Sequence, residues 1–357
     1  MTRLPGIGVL CLLAACTRPN PAYWLGHEED GAANPEPLGP DAATGDVRAP
    51  DAAAPADAAP PADGATPADA ASPDRDTAVN VNSANCGTVV ASVAGISGAD
   101  GIVIDRDGTI YLLTDDATNS YVGRIQPRGT FQQKWQTIPN APVTWGLALD
   151  EVRRRLYVAV VASNGSLVAI ENIDTTPTRR TAATGLNNAN DVTVAADGSV
   201  YWSNQGDRHI YRLDPNGGTP ARVTKTALGN TTQMQAPSGV AVDPVTGDLL
   251  VGLEHGGPLY RLGLTSYMES SRNTVGTWSG WANGLTYDLR NRLYVGIYDD
   301  VEPRTVVRLE ADGRAMVMLS GGRFSSLAFG RGVLDCHDLY VTDPFGPLQR
   351  VHIDDVY

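Results

Sequence analysis

The chain has 357 residues, with 38 glycines, 24 prolines, only 6 % aromatic residues and a formal net charge of −13. Glycine and proline at that level, with β-branched residues and turn dipeptides after Asn82, argue against a helical protein. Most of the negative charge lies between Glu28 and Asp76, and no segment offers a basic surface to a phosphate backbone, which excludes nucleic acid as a partner.

Residues 1–16 read as an export signal peptide. Arg3 supplies a positive n-region, and Ile7 to Ala15 form an apolar run too short to span a bilayer. The run ends in Leu13-Ala-Ala-Cys16, which resembles the lipobox of bacterial lipoproteins. That resemblance implies acylation of Cys16 and contact with a membrane through the lipid anchor only, several acyl chains holding where one would be marginal. Thr17 stands after the cysteine, where aspartate would resemble an inner-membrane retention signal, so the expected location is the outer membrane or cell surface. Residues 17–80 repeat Pro-Ala-Asp at 55–57, 61–63 and 67–69 and carry almost no large apolar side chain after Leu38. Such a segment buries too little surface to offset chain entropy, so a disordered tether is expected. In polyproline II, at ~3.1 Å per residue, it would reach on the order of 100 Å.

Residues 86–357 are organised by a repeat. In Asp100-Gly-Ile-Val-Ile-Asp-Arg-Asp-Gly-Thr-Ile-Tyr111 two short strands flank a turn. The phrase recurs with its first apolar residue at Ile102, Leu147, Val192, Val240, Leu285 and Leu327, in steps of 45, 45, 48, 45 and 42. Several strands per unit at a period of about 45 residues is the spacing of propeller blades. The expected fold is therefore all-β, a six-bladed β-propeller. Its sixth unit runs out of chain early, and 88–93 is available as the missing strand, so both chain ends would close the ring and leave no open edge. Cys86 and Cys336 bracket that seam and are predicted to form a disulfide. It would close a loop of about 250 residues, worth at most ~5 kcal/mol in the chain-entropy model.

The units Pro237-Ser-Gly-Val-Ala-Val-Asp243 and Asn190-Asp-Val-Thr-Val194 resemble the SMP-30/gluconolactonase/LRE-like six-bladed propellers, with NHL repeats as near neighbours. The resemblance implies a divalent cation (Ca²⁺ or Zn²⁺) at the mouth of a central channel, held by residues just ahead of the inner strands. Asp100 falls where that family has a glutamate ligand, and Asn190 where it has a substrate-contacting asparagine. Ser238 replaces a metal-binding asparagine, and Asn283 replaces the catalytic aspartate. An amide is no general base and brings no charge to a cation. Asp100 and Asn190 are thus the metal candidates that remain.

The register alone makes Asp100, Trp145, Asn190, Ser238, Asn283 and Ser325 a ring at one end of the channel, a candidate small-ligand site. Loops carrying Asp115-Asp116, Asp207, Glu254-His255, Asp299-Asp300, Glu302 and Asp343 are expected to make an acidic rim above it. His209 and His337 read as structural. Asp105-Arg-Asp-Gly108 and Asp214-Pro-Asn-Gly217 read as hairpin turns, because the full calcium-loop pattern is missing. No nucleophile elbow, phosphate loop or zinc spacing occurs. The expected function is a surface-displayed module that binds a small ligand, a glycan or a protein partner without an intact catalytic metal site. The alternative is a metal-dependent gluconolactonase-like lactonase, and a third class is a rigid scaffold within a surface assembly.

Overall fold

The computed structural model describes residues 87–116, 118–298 and 304–354. The signal segment, the tether and Cys86 lie outside them. Within the described residues, six antiparallel sheets follow one another along the chain, over 102–138, 144–186, 189–222, 237–278, 281–320 and 326–352. These are blades 1 to 6. The first five have four strands each and the sixth has three. The inner strands of the blades are Ile102–Ile104, Thr144–Asp150, Ala189–Val194, Pro237–Val242, Trp281–Tyr287 and Ser326–Phe329, each holding one of the six repeat apolar residues. The molecule is the expected six-bladed propeller.

Strand alternation explains how the ring holds together. On the second strand of blade 1, Ile110 and Leu112 pack in the core shared with blade 6, while Tyr111 and Leu113 pack in the core shared with blade 2. Successive side chains point to opposite faces, so one strand serves two cores. The same device gives apolar clusters at each remaining blade boundary. Each fully buried aliphatic or aromatic side chain stabilises by about 1.5–3 kcal/mol.

The repeat aspartates close the hairpin turns at one end of the propeller. Asp105 accepts from the amides of Asp107 and Thr109 (3.0 and 2.8 Å), and Asp243 from Val245 and Thr246 (2.8 and 3.0 Å). Asp288 accepts from the amides of Arg290 and Arg292 (2.9 and 3.0 Å). These are Asx-type turns, as the sequence leads one to expect. An arginine completes several of them: Arg154 reaches Asp105 at 2.8 Å, and Arg292 reaches Asp288 at 2.7 Å.

Both ends of the chain meet at the seam, though not through a full fourth strand. Val89 makes a single parallel bridge to Leu334, and Ser97 a single antiparallel bridge to Pro347. The amide of Asp335 donates to the Val89 carbonyl at 3.1 Å, and that of Leu348 to the Ile96 carbonyl at 2.9 Å. The segment 88–93 therefore pairs with the connection ahead of the second strand of blade 6 instead of extending its outer edge. Two features prevent a longer ladder. Gly95 and Gly98 take positive φ (78° and 65°) and turn the chain, and Pro347 has no amide to donate.

Candidate functional site

The axial site is built from the close approach of the inner strands. The position just before each repeat apolar residue is Gly101, Gly146, Asp191, Gly239, Gly284 and Ser326. A Cβ on Gly146 would stand 2.7 Å from Asp191 Cα, and one on Gly239 1.9 Å from the carbonyl oxygen of Asn283. Neighbouring inner strands thus touch backbone to backbone, and four of the six positions hold glycine for that reason. The other two, three blades apart, use their side chains to bridge to the next blade. Asp191 Oδ2 accepts from the Val240 amide at 2.8 Å, and Ser326 Oγ from the Ile102 amide at 3.3 Å. Each has matching support from the second strand: Ser203 Oγ accepts from the Asp191 amide at 3.0 Å, and Thr342 Oγ1 from the Ser326 amide at 3.0 Å.

Asp100, one step further out, is half-buried beside the Ser325 side chain. Burial pushes its carboxyl up to about 8, and the charges of Asp115, Asp191 and Asp343 push the same way against the Ser325 hydrogen bond. Burial also lifts Asp191 to about 7, against the two amides of Val240 and Val192 that favour its charge. Glu254 is pushed to about 8 by burial and hydrogen-bonds to the Gln205 side chain. Among the described residues no lysine or arginine makes an ion pair with any of these three. A carboxyl held near neutrality can donate as well as accept a hydrogen bond at physiological pH.

The structure treats the ring expected from the sequence unevenly. Asp100 and Ser325 are joined, as just described. Ser238 is fully buried and donates through Oγ to Asn283 Oδ1 at 2.8 Å, so its hydroxyl is committed to Asn283. Asn190 is buried and Trp145 half-buried. Sequence reasoning missed Asp191, although its register offered a signal: it breaks a run of glycine at the equivalent position. An aromatic group formed by blades 4 and 5 was missed as well. His255 meets Trp281 edge-on at 4.7 Å, and Trp281 lies 5.1 Å from Tyr298. In the acidic rim, Asp343 is tied by the amides of Arg323 and Phe345 (3.0 and 2.8 Å). Asp299, Asp300 and Glu302 lie outside the described residues. His209 is structural, 2.7 Å from Thr224 Oγ1.

The divalent cation implied by the resemblance does not fit these residues. Its two central positions hold a serine and an amide bonded to each other. Among the described residues, the Asp/Glu/His/Cys ligand atoms that gather within 4.8 Å are those of Asp335, Asp338 and His352 in blade 6, not those of the channel. A separate cleft of about 350 Å³ lies between blades 1 and 2, lined by Ile138, Val160 and Arg179, away from the axial acids.

No family model matches the chain, and no curated relative does. Solved structures share its fold. A provisionally assigned gluconolactonase is 18 % identical with a TM-score of 0.55, over 76 % of this chain and 97 % of that one. The gluconolactonase of Xanthomonas campestris is 18 % identical with a TM-score of 0.53, over 74 % and 88 %. A streptogramin B lyase is 12 % identical with a TM-score of 0.52, over 74 % and 96 %. The chain therefore has the propeller fold of gluconolactonase-like proteins. Since a lyase has it too, the fold leaves the reaction open.

Proposed function

We propose that this propeller binds a small, hydroxyl-rich ligand at its axial mouth and that it lacks metal-dependent lactonase chemistry. The observation that carries this reading is the Ser238–Asn283 hydrogen bond of 2.8 Å, which joins the two positions where the resemblance would put a metal ligand and a base. Asp100 and Asp191 supply the recognition chemistry. Each carboxyl, its pKa raised toward neutrality, can donate to a ligand hydroxyl when protonated and accept from one when ionised. Calorimetry with a panel of sugars, polyols and aldonolactones is the test. Binding that weakens at least tenfold in Asp100→Ala, with no turnover of lactones under any added divalent cation, is expected. Metal-dependent lactone hydrolysis that is lost in Asp100→Ala would overturn it.

One observation favours a second reading, a gluconolactonase-like hydrolase. A carboxyl raised to about 8 is protonated at neutral pH and has the right state for a general acid. In that case hydrolysis would fall as pH rises through about 8.

We further propose that the chain is exported and carried on a lipidated Cys16 at the end of the 17–80 tether. Among the described residues no helix is long and apolar enough to cross a membrane. Metabolic labelling with a palmitate analogue, lost in Cys16→Ala, tests the anchor. Cys86 is our assignment for the partner of the disulfide at Cys336. What supports the pairing is that Gly87, the next residue, donates to the carbonyls of Gly332 and Leu334 at 2.9 and 3.1 Å. Peptide mapping without reductant checks it.

A further inference from the structure

We propose that Asp335, Asp338 and His352 form a zinc site at the seam of blade 6, at the opposite end of that blade from the axial mouth. The second strand of the blade, Asp338–Thr342, begins at this cluster. It ends at Thr342, whose hydroxyl lies 3.0 Å from that of Ser325 at the mouth. Five residues of strand separate the two by roughly 13 Å, so this is not the channel site.

The ligand atoms are sorted before any ion arrives. Each carboxylate has one oxygen engaged and the other turned to the imidazole. Asp338 Oδ2 takes a hydrogen bond from Arg350 at 2.8 Å, while Oδ1 lies 3.0 Å from His352 Nδ1. Asp335 Oδ1 lies 2.9 Å from His337 Nδ1 and accepts from the His337 amide at 3.0 Å, while Oδ2 lies 4.0 Å from His352 Nδ1. Arg350 and His337 thus orient the two carboxylates in the way outer-shell partners orient the ligands of a metal centre. Bonds of about 2.0–2.2 Å in tetrahedral geometry put ligand atoms roughly 3.4 Å apart, and separations of 3.0 and 4.0 Å bracket that value. Two carboxylates and an imidazole suit zinc, whereas calcium takes oxygen ligands alone. His352 Nε2 lies 3.6 Å from Asp354, and the His337 ring stands 5.4 Å from that of His352, so water or a small ring movement can complete four ligands.

The placement gives the site its role. Asp338 is completely buried at the start of the second strand, and His352 ends the last strand, Gln349–His352. Asp335 is in the connection that bridges to Val89. One ion would therefore tie the connection that meets Val89 to the second and last strands of blade 6.

The test uses the full chain without a polyhistidine tag, stripped with chelator and titrated with zinc chloride at pH 7.5. One zinc per chain with micromolar or tighter affinity is expected, together with a rise in Tm of roughly 5 °C at 100-fold excess over Kd. His352 is half-exposed, so His352→Gln should fold. It should weaken binding at least tenfold and abolish the Tm rise. Asp100→Asn should keep the stoichiometry, which separates this site from the channel. No zinc bound at 100 μM, or equal binding by the His352→Gln protein, overturns the proposal.

Discussion

The two ends of this propeller use carboxylates in opposite ways. At the turn end, Asp105, Asp243 and Asp288 each accept two backbone amides and face an arginine, with Arg154 joining Asp105 of blade 1 to Glu151 and Asp174 of blade 2. At the mouth, Asp100, Asp191 and Glu254 have serine, amide or glutamine partners and, among the described residues, no arginine, and loss of water pushes their carboxyls up to about 7 to 8. The same side chain serves architecture where a cation and turn amides meet it. Where they do not, it is held partly protonated and suits ligand recognition. The contrast teaches that burial alone does not mark a functional acid. What its partners are does.

The contrast breaks most sharply at Arg154. Removing it by Arg154→Ala leaves Asp105, 1 % exposed, without its arginine partner and beside Glu151, which keeps the longer ion pairs to Arg106 and Arg331 (3.8 and 3.9 Å). A loss of about 3–5 kcal/mol, read as a Tm lower by roughly 10 °C, is expected with ligand binding unaffected. Next comes the response to pH. For Asp100 the folded pKa, about 8, exceeds the ordinary aspartate value of 3.8, so its stabilising contribution is full below about 4 and is lost as pH climbs to about 8. Thermal melts from pH 5 to 9 should show stability falling, and Asp100→Asn should flatten that slope and raise Tm at pH 8.5. A slope unchanged in the variant would mean that the mouth acids do not titrate as described. Smaller still is Ser326→Ala, which removes the acceptor for the Ile102 amide and should cost about 1 kcal/mol. Least of all is Glu254→Gln at pH 6, where a protonated carboxyl gives way to an isosteric amide. A small change in Tm is expected there, by calorimetry, with the variant's relative stability growing as pH climbs toward about 8 and levelling above it.

Several residues show where sequence reading succeeds and where it stops. The blade count, the inner strands and the Asx turns follow from local chemistry: alternation at period two, turn residues at fixed offsets and a repeated phrase. The register of Asp100 and Ser325 at the mouth was also legible, because equivalent positions of a ring converge on its axis. Asp191 was passed over in favour of Asn190, one residue away. The bridge from Asp191 to the Val240 amide spans 49 residues and exists only once blades 3 and 4 are packed. The Ser238–Asn283 bond, across 45 residues, is hidden for the same reason.

Unaided, the sequence determined a six-fold β-sheet ring, its turn chemistry and the candidate axial positions. Those depend on contacts within one repeat and on the repetition itself. Tertiary structure alone decided which polar side chains satisfy each other, which acids are stripped of water, and how the two chain ends meet at blade 6. Hydrogen bonds and desolvation between units depend on distances that no single repeat contains.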